Sequence, residues 1–494
     1  MIVQRSLCNF FFLLLLIPVS CFVTPSTVFG ADEELDFSKT KNIFLGEAIQ
    51  SASFGDDFRS VALLQLAYEQ HRLTDSDEVP LLYLAGRYQA LGLVDRAMAL
   101  YRRVAERGEG SRSAQAWLSF AKLAIDNARF DMAEQALSHM DRQLDKHQRV
   151  EKGVIQSLVY LHQRKEQAAV RALPKFKNDT NWSIYQRYNI AVTLLNHYRN
   201  RRGALILAEL GKLDTQGDPD KIAIRDQANL ALGYSLLQLN KAKQARKYLS
   251  RINLNTFTAN QALLGMGWAY SAENNHRKAL VYWLELQKSS TTINTHLYES
   301  TLAVPYGFGR AGAVSRAAEA YDAAIHRFEA DIVAMNAAKE EIRRGILIDI
   351  LKAGSPADEF SWTNSWRDAP VRIGIGAFVP LLMESPVFLQ ALQEYRAVLG
   401  LRERYKLMRR DVDGLKQLSF AGDLQPDIDV VQTQYRTIGD AFKLAINEAE
   451  KRLNGLAIDV LESHQQQLKE YGQQARFGLA QAIEQATFGS GVTE

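Results

Sequence analysis

From residue 45 to 330, large apolar residues recur three and four positions apart in short runs separated by polar turns, which predicts amphipathic helices rather than strands. One skeleton repeats within that pattern. In Leu84–Tyr101 a small residue (Ala85) is followed by a large one three positions on (Tyr88). After a turn, a second small residue (Ala97) lies twelve after the first, and an aromatic (Tyr101) four after that. The skeleton returns as Ala121/Ala133/Leu137, Ala191/Gly203/Leu207, Gly233/Ala245/Leu249, Gly267/Ala279/Trp283 and Pro305/Ala317/Tyr321. Weaker copies sit at Ala48/Ser60/Leu64 and Gln156/Ala168/Ala172, and the second small residues are 37, 36, 35, 35, 42, 34 and 38 apart. Two antiparallel helices approach closely only where the facing residues are small, and the large neighbours fill the groove beside that contact. A lone hairpin cannot bury its apolar face, whereas a stack of them makes a continuous core.

This pattern resembles the tetratricopeptide repeat (TPR) family, whose unit runs small residue, Tyr, Ala, aromatic with a period of about 34 residues. The nearest copies are Gly267-Trp268-Ala269-Tyr270 with Ala279 and Trp283, and Ala85/Tyr88/Ala97/Tyr101. The resemblance covers residues 45–330 and departs from the family in most spacings, at Gln156 and at Pro305. It implies an all-α, TPR-like α-solenoid of about eight helical hairpins, with a ligand groove lined by the first helix of each.

Beyond Ala317 the pattern continues as one long helix to about Lys352. A connecting helix and loop then occupy residues 331–386, the loop rich in breakers and aromatics (Gly354, Pro356, Trp362, Trp366, Pro370, Pro380). Residues 387–486 read as a long helical hairpin, with helices at about Val387–Leu418 and Asp427–Ala486, and 487–494 as a tail. In the last helix Val431, Tyr435, Ile438, Phe442, Ala445, Ala449, Leu453, Leu456 and Val460 form a coiled-coil-like seam. Tyr395, Val398, Leu401, Tyr405, Met408, Val412 and Leu415 offer a matching stripe on the helix before it. The seam can therefore close within one chain, or serve a homodimer or a partner helix.

The first thirty residues read as an export signal: Arg5, the apolar run Phe10–Ile17, and small residues at Val28 and Gly30 before Ala31. Cleavage is expected near Gly30, followed by a linker over 31–44 and a periplasmic location; lipid anchoring at Cys21 is the alternative. Both cysteines, Cys8 and Cys21, lie inside this segment, so the exported chain would be held together by its core alone. The net charge of +3, of which Arg5 supplies one unit, mixes both signs and argues against nucleic acid as a partner. No later stretch approaches the ~20 apolar residues of a membrane span.

Enzyme chemistry finds little support. Gly307-Phe308-Gly309-Arg310-Ala311-Gly312 matches G-x-G-x-x-G, a phosphate cradle only between a strand and a helix, and here it joins two helices. Ser119/Lys122 has S-x-x-K spacing but lies inside a repeat helix, and the nine histidines have no metal-ligand spacing. No catalytic, cofactor or metal residue is assigned. Candidate partner contacts are the residues directly after the small position of four first helices, Val192, Tyr234, Trp268 and Tyr306. One turn on lie Asn196, Gln238 and Arg310. Rigid aromatics beside amides and an arginine suit a bound peptide or helix; the same aromatics equally suit packing between units. Trp362 and Trp366 form a secondary candidate, for docking or for capping the last repeat. The expectation is a non-catalytic protein-binding scaffold of a bacterial cell envelope. The alternative is an accessory protein of polysaccharide or peptidoglycan handling.

Overall fold

The computed structural model describes residues 42–54, 56–108, 110–140, 144–177, 179–196, 201–254, 256, 258–289, 293–353, 374–418 and 425–488. The export segment with Cys21, and the Trp362/Trp366 loop, lie outside them. The described residues form an all-α, TPR-like fold, and no strand occurs among them. They divide into two compact units, residues 1–232 and 233–494.

Unit 1 contains five successive helical hairpins. They are α1/α2 (Ile43–Ser53, Asp57–Glu69), α3/α4 (Glu78–Ala90, Val94–Arg107), α5/α6 (Gly110–Asp126, Phe130–His139), α7/α8 (Lys146–His162, Glu166–Ala172) and α9/α10 (Asn181–Asn196, Arg201–Leu210). The unit boundary falls within α11 (Pro219–Gln238). Unit 2 continues with α12 (Ala242–Leu249), α13/α14 (Ala259–Ala272, His276–Ser289) and α15/α16 (Thr295–Arg310, Val314–Arg343). After these come α17 (Ile346–Ala353), a 3₁₀ turn at Gly374–Phe378, α18 (Val379–Leu382), α19 (Pro386–Leu418) and α20 (Gln425–Phe488).

The same three-residue turn closes hairpins in both units. Its central residue is left-handed: Gly92 (φ 74°), Ala128 (56°) and Arg164 (58°) in unit 1, Asn240 (55°), Asn274 (58°) and Gly312 (84°) in unit 2. The next residue donates its N–H to the carbonyl five positions back, as Leu93 does to Tyr88 (2.8 Å), Arg129 to Ala124 (2.7 Å) and Ala313 to Phe308 (2.9 Å). This is the Schellman arrangement, which satisfies helix-end carbonyls and reverses the chain at once.

The small residues lie where the skeleton placed them. Ala48, Ala85, Ala121 and Ala191 on first helices, and Ser60, Ala97 and Ala133 on second helices, are fully buried. A Cβ on Gly203 would come 2.5 Å from the Ala191 carbonyl and 2.8 Å from the Leu195 nitrogen, both backbone atoms that cannot yield. In unit 2 a Cβ on Gly233 would meet Leu249, and one on Gly267 would enter the Trp283 ring.

Two expectations are corrected. The fourth hairpin uses Ser157 and Ala169, both fully buried, instead of Gln156 and Ala168, which stay half-buried. Its short α8 and the Arg164 turn set the register one residue later than spacing alone suggested. The long helix after Ala317 does not run unbroken to Lys352: Gly345 turns left-handed (φ 87°) and separates α16 from α17.

The segment following α8 is tied down by Arg187 of α9. Its guanidinium pairs with the Asp179 carboxylate, both side chains buried, and donates to the carbonyls of Pro174 (2.9 Å) and Lys175 (3.2 Å).

The seam of α20 closes within the chain, against two helices. Its first half runs antiparallel to α19, where Tyr395 donates to Glu450 (3.0 Å) and the Tyr405 hydroxyl to the Tyr435 carbonyl (2.7 Å). Its second half runs antiparallel to α16, with Lys339 donating to Gln465 (2.9 Å) and Phe328 against Tyr471 (6.0 Å between rings). Leu453, Ala457, Leu461, Leu468 and Ala475 are the buried line. Val431 and Ile438, expected in the seam, are 36% and 46% exposed.

The turn makes a direct prediction. A left-handed conformation costs an L-residue ~1–2 kcal/mol, of which a glycine's extra unfolded-state entropy takes back under ~1 kcal/mol. Ala128→Gly should therefore stabilise unit 1 by about 0.5–1 kcal/mol, and Gly92→Ala, which meets no neighbouring atom within 4 Å, should destabilise it by about as much. Urea-unfolding midpoints of the two variants check this; shifts of one common sign would contradict it.

Candidate functional site

The row Val192–Tyr234–Trp268–Tyr306 is divided between the units. In unit 1 Val192 is buried in α9 and Asn196 is half-exposed one turn on. In unit 2 two of the three aromatics, Tyr234 and Trp268, point into the stack. Tyr234 is 8% exposed; its hydroxyl donates to the Gln261 carbonyl (2.9 Å), and its ring lies against Gly265 of the next first helix. Trp268 is 6% exposed, edge-on to Trp283 (4.9 Å), and its indole N–H donates to Glu299 Oε1 of α15 (2.7 Å). The reason is geometric: each polar tip finds an acceptor on the following first helix, so the apolar body is carried inward with it. Tyr306 remains half-buried, while Gln238 and Arg310 are exposed.

Tyr306 and Arg310 stand beside a feature the sequence did not announce. Where α13 turns into α14, a depression of about 400 Å³ is lined by Glu273, Asn274, Asn275, His276, Arg277, Arg310 and Ala311. His276 forms part of its wall, with Nδ1 3.2 Å from the Ser271 hydroxyl and the ring edge-on to Tyr306 (6.2 Å). Burial, and then the charge of Arg310, hold the imidazole pKa below the ordinary 6.5. Glu273 is paired with Arg246 (2.7 Å), whose guanidinium stacks on Tyr270 (4.3 Å). The available signal was the run Asn274-Asn275-His276-Arg277 at a predicted turn.

Glu299 was also missed, because nothing in sequence marks a carboxyl that will be buried. Burial raises its pKa to about 8, opposed by the Trp268 hydrogen bond; on α20, burial and then the Glu299 charge disfavour ionisation of Tyr471. At the start of the same helix, Thr295 donates through both its backbone N–H (3.3 Å) and its hydroxyl (2.6 Å) to Glu384, between α18 and α19.

In unit 1 the first helices are joined by a polar set. Lys122 donates to Glu151 (2.9 Å) and lies over the Trp182 ring (5.2 Å); Trp182 donates to Asp126 (3.3 Å). Lys122 thus has a structural job within the Ser119/Lys122 string. The glycines of the 307–312 string likewise serve packing and turning. Gly307 fits against Leu280 and Trp283, and Gly312 is the left-handed turn residue. Among the described residues no group of His, Cys, Asp or Glu could hold a metal, and no single helix is long and apolar enough to cross a membrane.

No protein-family model matches the chain, and no curated protein sequence does. Among solved structures it is similar to one described as the APC/C hetero-tetramer Cut9–Hcn1, at 11% identity, covering 94% of this chain and 98% of that one with a TM-score of 0.27. It is also similar to a circular tandem repeat protein with novel repeat topology, at 14% identity, 99% coverage of both chains and a TM-score of 0.14. Scores this low bear no weight on function, which rests on the chain's own residues.

The buried Glu299 makes stability depend on pH. Its folded-state pKa lies above the ordinary 4.5, so the native chain keeps a proton that the unfolded chain has released. The contribution is complete below pH 4.5 and lost as pH rises toward 8, with a slope of at most ~1.4 kcal/mol per pH unit. Urea midpoints should fall across that window in the parent chain and fall less steeply in Glu299→Gln. Equal slopes would show that Glu299 does not hold the proton.

Proposed function

We propose that the chain is a non-catalytic protein-interaction scaffold that binds a peptide or helix of its partner along the first-helix edge of its hairpins. The observation that carries this is the division of labour on that face. Tyr234 and Trp268 lock successive hairpins together, while Gln238, Tyr306 and Arg310 remain at the surface as an amide, a ring edge and a cation. A rigid stack with a mixed polar and aromatic edge supports directional recognition at little entropic cost. The polysaccharide alternative would need open ring faces for sugar stacking, and two of the three rings of the row, Tyr234 and Trp268, are enclosed.

The same proposal places the chain in a bacterial envelope, on the strength of the export segment alone, and gives it envelope proteins as partners. The proposal also includes homodimerisation through α20, supported by the exposed Val431 and Ile438.

A photo-cross-linker at Gln238, compared with one at the exposed Val281 of α14, tests the reading in cells. A discrete protein adduct is expected from Gln238 and not from Val281, reduced by Tyr306→Ala. Fractionation should find a chain beginning near Ala31 outside the cytoplasm. Glycan adducts, or adducts of equal pattern from both positions, would overturn the reading.

A further inference from the structure

We propose that the depression between the α13–α14 turn and the end of α15 receives a carboxylate from an acidic peptide segment of the partner protein. This rests on the scaffold reading above and gives it a point of contact.

Charge carries the argument. Arg277 and Arg310 border one depression from two different helices, both exposed, and neither guanidinium forms an ion pair or hydrogen bond with a described residue. Other cations of unit 2 do find acids: Arg246 pairs with Glu273 (2.7 Å), Lys352 with Glu450 (2.9 Å) and Lys339 with Glu462 (3.5 Å). Glu273, the acid in the lining, is already neutralised by Arg246 and does not cancel the two free guanidiniums. The fourteen-residue α14 also begins here, adding the positive end of its dipole to theirs. The depression therefore holds a positive field that nothing in the described chain answers.

The shape selects the occupant. Guanidinium groups meet a planar carboxylate through paired N–H donors. The half-buried Tyr306 ring beside Arg310 gives the adjoining methylenes of a Glu or Asp side chain an apolar surface. Asn274 and Asn275 on the rim supply amide groups for a peptide backbone.

His276 provides a built-in reporter. Arg310 and Tyr306 of α15, Ser271 of α13, and Arg277 and the Glu273–Arg246 pair at the rim surround it. An anion seated on Arg310 offsets the charge that opposes imidazole protonation, so occupancy should raise the His276 titration midpoint.

The test uses the intact chain with acetylated hexaglutamate at low ionic strength, followed by labelled-peptide anisotropy and by the His276 Cε1 proton resonance. Acetylated hexaglutamine and inorganic phosphate serve as comparison probes. Hexaglutamate should bind in a salt-sensitive manner and shift the His276 midpoint upward, while hexaglutamine does neither. The double variant Arg277→Gln/Arg310→Gln should weaken binding about tenfold or more, and Lys243→Gln, an exposed cation on α12, should leave it unchanged. Absence of binding, equal loss in Lys243→Gln, or a phosphate-induced midpoint shift as large as the peptide's would overturn the proposal. Cross-linking from Gln238, repeated in the double variant, separates the two readings. If the adduct persists while hexaglutamate is ignored, only the carboxylate site falls; if Gln238 captures nothing in the parent chain either, the scaffold reading falls with it.

Discussion

The contact on which both units depend is the close approach of two antiparallel helices through a residue too small to keep them apart. Helix axes can come within about 8–10 Å only where the facing positions lack bulk. Gly203 lies so near the Ala191 carbonyl and the Leu195 nitrogen that any side chain would have to move backbone. Gly267 reaches the same closeness against a ring: Trp283 fills the space its missing side chain leaves, and is itself fully buried. The left-handed turn follows from that contact. Helices held so close can be joined by only a few residues, and the Schellman geometry reverses the chain within three of them. Glycine suits the central position, yet Ala128 and Arg164 adopt it too, so tertiary packing overrides their local preference.

The C-terminal part of unit 2 solves a different problem. A helix as long as α20 cannot be stabilised by local propensity alone and needs a covered stripe along its length. It obtains one by changing partners, from α19 to α16, and α16 can serve because it extends far past the length of a repeat helix. Where α15 meets this region, buried carboxyls take part. Glu299 accepts from Trp268 and Glu384 accepts from Thr295, so one helix is keyed to the hairpin before it and to the segment after it. Holding such groups neutral costs far less than burying their charge, which is why they bring a pH dependence with them.

How much was legible follows from which signals are periodic. The helices, their pairing and most small-residue positions could be read because each repeats, and an error at one unit is outvoted by the others. The fourth hairpin shows the limit: with no glycine or alanine at the first-helix position, spacing alone chose Gln156 over Ser157, one residue out. Gly345 was missed because a helix-to-helix break needs only one left-handed residue, which leaves the apolar period on either side almost intact. For the candidate site, the positions of Tyr234, Trp268 and Tyr306 in their helices were predictable, but not their directions. A position directly after the small residue can face the partner or the next hairpin, and the choice is made by an acceptor on another helix, Gln261 for Tyr234 and Glu299 for Trp268. The depression was beyond sequence altogether, since Arg277 and Arg310 are brought together only when α14 and α15 pack.

These constraints explain where binding chemistry can reside in such a chain. Every first helix must spend its largest side chains on its neighbours, because an unfilled groove between hairpins would cost about 20–25 cal/mol for each Å² of apolar surface left open. Specific recognition is thereby displaced to the ends of the helices and to the turns, where side chains are not needed for the core. Arg310 in the last turn of α15, and Arg277 in the first turn of α14, occupy such positions. They can be exchanged without disturbing the helix contacts beneath them, whereas Trp268, tied at once to Trp283, Glu299 and Tyr306, cannot. Stability and specificity thus occupy different residues of the same helices, and a partner surface can be retuned at the turns while the stack that presents it stays fixed.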